Sequence, residues 1–216
     1  MKKEIKICLP VYKVVYSVLY AVILCLIRGV SEVLEIGMAM DANIALLAAV
    51  FCADTCVMER SGKRWEVFTL CPMKNKTRVI RRRFTVQVIY LCLLSYVGYF
   101  FFYWQKPMDT EHIGAELYGL YAASVTATVI LWSVLSMTLA NIFRNSWMGI
   151  GTALVLWLVM NSKFGERALG KFNIFAYSLQ QNSVLEDMSW LWGKGLGVAA
   201  AALMVGMIPW ILRKRG

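Results

Sequence analysis

Glu59 to Arg83 reads ERSGKRWEVFTLCPMKNKTRVIRRR, the one long polar run between stretches that are otherwise almost wholly apolar. In it Arg60, Lys63, Arg64, Lys74, Lys76, Arg78, Arg81, Arg82 and Arg83 face only Glu59 and Glu66. Its first half is patterned as well as charged. Trp65, Phe68 and the Leu70 to Cys71 step follow one another at roughly helical spacing until Pro72 ends the series, which predicts a short amphipathic helix.

The flanks decide what this run is set between. Of the 216 residues, 59% are apolar, against roughly 45–50% in an ordinary soluble domain. A soluble fold of this length cannot hide that much apolar surface, whereas spans of about 20 residues can leave it in hydrocarbon. The sequence predicts an all-α membrane bundle of six spans, at about 9–28, 42–58, 84–104, 117–141, 147–161 and 190–212, with 59–83 as a cytoplasmic loop.

The formal net charge of +10 admits a nucleic-acid partner, but its distribution excludes one. Lys2, Lys3, Lys6, Lys13, the central loop, Arg144 and the Arg213 to Arg215 end fall in alternate loops and at both termini, which is how cations orient a bundle with both ends inside. The same cations suit the anionic inner leaflet, so membrane lipids are expected partners. Lys2 and Lys3 lead into an apolar stretch without a small-residue cleavage site, and this stretch is expected to be a retained first span. Cys8, Cys25, Cys52, Cys56, Cys71 and Cys92 lie in or beside apolar runs, which argues against a disulfide framework. Cys52 and Cys56 fall one turn apart on a common helical face, but the lone His112 lies on the opposite side, so small apolar packing is expected and no metal site.

Several polar residues inside or beside spans are pathway candidates. Arg28, Glu32 and Glu35 continue span one at helical spacing, either as a solvated face beyond the headgroups or as charges turned into the bundle. Asp54 sits near the inner boundary, within reach of headgroup water or Arg60. Span four carries Ser124, Thr128 and Ser133, hydroxyls that either bond a neighbouring helix or line a route. Span five is too short to cross about 30 Å at 1.5 Å per residue, so the mixed segment 161–189 is expected to fold against the outer boundary as a re-entrant element. In span six, Gly193, Gly197 and Ala201 recur at intervals that allow close helix contact.

With six spans, an inner amino terminus, and Glu59, Arg60, Trp65, Glu66, Phe68, Leu70 and Pro72 following span two, the chain resembles the permease subunits of ABC-2 type exporters. In that family an amphipathic coupling helix occupies this place, and a broken outer hairpin follows span five. The resemblance implies a dimer with a second permease chain, identical or homologous, and a separate ABC ATPase docked on the coupling helix. Glu59, Arg60, Lys63, Arg64, Trp65, Glu66, Phe68, Leu70 and Pro72 would make that contact, with Trp65 and Phe68 as buried anchors. Residence in a bacterial plasma membrane is expected, and the aromatic and hydroxyl-bearing spans fit an amphipathic peptide, lipid or drug-like cargo. The chain has no G-x-x-x-x-G-K-[ST] motif, so ATP and Mg belong to the partner ATPase and no cofactor is expected in this chain. Three other classes stand beside this one. A membrane enzyme needs clustered His, carboxylate or nucleophile residues that the spans lack. Ion-coupled transport rests on Asp54, and a structural or immunity-type membrane protein needs no site at all.

Overall fold

The computed structural model describes residues 7–57, 72–105, 114–179 and 188–215, with backbone only at 73–75, 114–115 and 211–215. Its regular elements are α1 (Val11–Ile27), α2 (Val33–Cys52), α3 (Met73–Trp104), α4 (Gly114–Phe143), α5 (Ser146–Met160), α6 (Lys163–Leu169), a 3-10 turn (Gly170–Phe172), α7 (Ala176–Leu179) and α8 (Trp190–Arg215). Among the described residues every one of these elements is helical, as the composition requires. Four helices are long and apolar enough to cross a membrane, or five if α5 and the segment after it form one bent span; α1, at 17 residues, is shorter.

The bundle is built around α2 and α4, which pack on each other along their length while α3, α5 and α8 surround them. Small residues make this possible: Ala45, Ala48 and Ala49 of α2 are all buried, so the α4 backbone approaches closely enough for Ser136 Oγ to reach the Ala49 carbonyl at 2.5 Å. The α4–α5 corner is equally tight. Arg144 takes a left-handed φ of 56°, the Asn145 amide bonds back to the Ala140 carbonyl at 3.1 Å, and the Asn145 side chain accepts the Trp147 amide at 2.9 Å. Gly149 then lies directly on Ala140, where an added Cβ would come within 2.6 Å of the Ala140 Cα.

Three expected boundaries move. Arg28, Glu32 and Glu35 do not continue one helix: α1 ends at Ile27, Arg28 and Glu32 are extended, and Gly29 lies in the turn between them. Glu35 instead reaches back to accept the Ser31 amide at 2.9 Å, a capping contact at the start of α2. Consequently α2 begins at Val33 rather than near 42 and ends at Cys52, followed by a turn; Cys52 joins the main core while Cys56 joins a smaller cluster with Ile80, Met137 and Ile208. The third change is in the basic run. The loop expected over 59–83 is helical from Met73 onward, because after Pro72 at the N-cap there is neither Gly nor Pro and Lys and Arg are good helix formers.

The segment after α5 forms a cap over one end of the bundle. The axis bends by 74° between α5 and Lys163–Phe172. Ser162 caps α6 by accepting the Gly165 amide at 3.2 Å, and Asn173 clamps the return: its Nδ2 donates to the Met160 carbonyl at 2.8 Å and its Oδ1 accepts the Phe175 amide at 3.0 Å. Phe175 stacks on Trp132 of α4 at 5.7 Å. The small face of α8 receives this cap, with Gly193 against the Lys171 and Asn173 carbonyls and Gly197 against Ile174 and Leu131.

Candidate functional site

Beneath the cap lies an ion pair that the sequence reading did not single out. Asp41 stands about 12 Å along α2 from Val33 and Lys194 about 6 Å along α8 from Trp190, at 1.5 Å per residue, so both lie inside the apolar helices. Asp41 is fully buried, and Lys194 is 3% exposed. Lys194 Nζ donates to Asp41 Oδ2 at 2.5 Å and to Thr128 Oγ1 at 2.5 Å. Thr128 in turn donates to Asp41 Oδ1 at 2.6 Å, and Ser178 of the cap donates to Asp41 Oδ2 at 3.2 Å. One carboxylate thus gathers α2, α4, α7 and α8.

The local sequence explains how the helices come so close. Gly37, one turn before Asp41, has no side chain, and the Tyr177 ring occupies the space a Cβ would fill. Tyr177 also packs edge-on against Trp190 at 5.0 Å and lies under Lys194 Nζ, 6.0 Å from the ring centroid. Burial first, and then the Asp41 charge, push the Tyr177 hydroxyl up, so this residue of the cap is neutral near pH 7. A short polar layer extends sideways: Tyr121 OH meets Ser95 Oγ at 2.5 Å, and Tyr99 packs on Tyr121 with centroids 4.7 Å apart. Taking two charges out of water costs several kcal/mol per ion, which the pairing offsets only with good geometry and further hydrogen bonds. Asp41 has both. Inside apolar helices such a pair is a candidate functional position, because apolar side chains of similar volume often pack at no greater cost.

A second ion pair lies at the opposite end of α2. Lys13 Nζ lies 2.5 Å from Asp54 Oδ1, donates to the Phe51 carbonyl at 2.9 Å and sits 4.9 Å from the Phe51 ring centroid. Lys13 is 3% exposed, whereas the Asp54 side chain keeps 28% exposure. The neighbouring turn is held by Thr55, whose Oγ1 is 2.7 Å from the Cys52 carbonyl and 2.5 Å from Gln87 Oε1 of α3.

The expected candidates are distributed as follows. Glu32, in the α1–α2 turn, and Glu35, in the first turn of α2, are both exposed. Asp54 is tied to Lys13, which the sequence reading took only as an inner anchor. Ser124, Thr128 and Ser133 are fully buried on α4, and only Thr128 reaches the Asp41–Lys194 pair; Ser124 and Ser133 hydroxyls find no partner among the described residues. Pro72 is exposed at the N-cap of α3. Glu59, Arg60, Lys63, Arg64, Trp65, Glu66, Phe68 and Leu70 lie outside the described residues. A lysine inside an apolar run was the available signal for Lys194; Asp41 was missed because it read as the edge of its span.

Comparison with protein-family models, with curated proteins and with solved structures gives no match.

Proposed function

We propose that the chain is the membrane-spanning subunit of an ATP-driven exporter of the ABC-2 type, with six spans and both ends in the cytoplasm of a bacterial cell. It works as a dimer with a second permease chain, and a separate ATPase docks on Glu59 to Pro72. The observation that supports it most is the continuity of α3: from Met73 to Trp104 the chain is one 32-residue helix, so the basic turns after Pro72 and the apolar span behave as one rigid rod. A push at the amphipathic segment preceding Pro72 is then delivered along that rod to α2 and α4. On this reading the bent cap after α5 is the outer hairpin, and α1 and the bent α5 segment are the two spans beyond the four long ones. The cargo is an amphipathic peptide, lipid or drug-like molecule, and ATP and Mg belong to the partner.

The test is co-purification with a separate ABC ATPase. A Trp65→Ala/Phe68→Ala variant should lose the ATPase while remaining folded; an ATPase held as tightly by that variant would remove the docking role of this segment. A second reading, ion-coupled transport, is favoured by one observation, the charged pair buried within the spans. Cargo movement by the reconstituted chain under an ion gradient, with no ATPase present, would select it over the first.

A further inference from the structure

The cap carries a cleft of about 590 Å³, lined by Lys163, Glu166, Arg167, Gly170, Lys171, Ala176, Leu179, Ser189 and Trp190. That volume is in the range of small-ligand sites. Its walls follow from the local sequence. Lys163 and Arg167 stand one turn apart on α6 and so project from one face. Gly170, at φ 50°, reverses the chain and brings Lys171 back to the same rim, a conformation a side chain would strain. Ala176, Leu179 and the indole of Trp190 give the cleft an apolar floor.

Charge and surroundings select the ligand. Three cations face one carboxylate in the lining, and none of Lys163, Arg167 and Lys171 makes an ion pair among the described residues; Glu186 and Asp187 lie outside them. Nor does the bundle below neutralise these cations, because Asp41 is already matched by Lys194. Around the cap, Phe164, Phe172 and Trp192 are 72%, 59% and 68% exposed, the pattern of aromatic rings that sit at headgroup depth. We infer that this cleft binds a phosphate group, presented by an anionic phospholipid headgroup or by a soluble phosphate ester, with Lys163, Arg167 and Lys171 as its ligands. This does not rest on the exporter reading: it needs only that the cap lies at a membrane surface.

The full chain, purified in detergent, is titrated with phosphatidylglycerol, phosphatidylcholine and glycerol phosphate, and retained ligand is counted by native mass spectrometry. Phosphatidylglycerol should bind at least about tenfold more tightly than phosphatidylcholine, two phosphate lipids that differ in net charge, since each basic residue near a membrane surface contributes measurably to such a preference. A Lys163→Gln/Arg167→Gln/Lys171→Gln variant should lose the preference, and a Lys163→Arg/Lys171→Arg variant should keep it. All three cleft cations are exposed, so the triple variant removes charge without opening the core. Displacement of the lipid by glycerol phosphate at similar concentration assigns the site to a soluble ester; failure to displace assigns it to the lipid. Equal binding of the two lipids, or an undiminished preference in the triple variant, overturns the inference.

Discussion

Lys194 Nζ and Asp41 Oδ2 lie 2.5 Å apart between α8 and α2, and each is also tied to Thr128 of α4. Removing one partner leaves the other charge buried without compensation, which costs about 3–5 kcal/mol, whereas replacing both by apolar groups of similar volume is often neutral. Lys194→Met and Asp41→Leu should therefore each lower the thermal unfolding midpoint strongly, and the double variant should recover most of the loss. If the proposed transport is lost in the double variant while stability returns, the pair serves that activity rather than folding alone.

The pair at the other end should behave differently. Asp54 keeps partial contact with solvent, so truncating Lys13 leaves a carboxylate that water can still reach. Lys13→Met should cost clearly less than Lys194→Met in the same unfolding assay. Equal losses would mean that Asp54 is shielded in the membrane.

Gly37 faces Tyr177, and a Cβ added there would lie 3.1 Å from two ring carbons and closer still to the hydroxyl oxygen. Overpacking of this kind costs about 1–3 kcal/mol. Gly37→Ala should be destabilising on its own and less so in a Tyr177→Phe background, because the nearest clashing atom is then gone. A double-mutant cycle measured by thermal unfolding checks this: additive effects would place the ring elsewhere.

The helical class and the crowded face of α8 were legible in the sequence, because apolar run length and the Gly193, Gly197, Ala201 series are local signals. The site was not. Asp41 reads in sequence as the edge of a span, and the residue that makes its burial tolerable is 153 positions away. Nothing local announces such a partner. The α1–α2 corner failed for a related reason: Arg28, Glu32 and Glu35 satisfy a helical period, but Gly29 and the capping carboxylate of Glu35 favour a turn, and periodicity alone does not weigh that competition. On the far side of Pro72 the run of Lys and Arg was read as a solvated loop, although charge and helix are compatible when one face stays in water: Arg78, Arg81 and Arg82 are exposed while Ile80 packs into the bundle.

The cysteines give a check on the packing as a whole. Cys8, Cys25, Cys52, Cys56 and Cys92 are reduced and buried: Cys8 precedes α1, Cys25 is in α1, Cys52 ends α2, Cys56 lies in the turn after it and Cys92 is in α3. A thiol reacts only where reagent reaches it, and core thiols are inert for that reason. With Cys71 changed to Ser, the native protein should resist a membrane-impermeant maleimide and should take up label at the other positions only on unfolding. Rapid labelling of Cys52 in the folded state would show a water-accessible route between α2 and α4, since Cys52 is fully buried in the core cluster those helices share. Such a route would turn the closed α4 face into an open passage, and the labelling rate with and without the proposed partner ATPase and ATP would show whether energy input opens it.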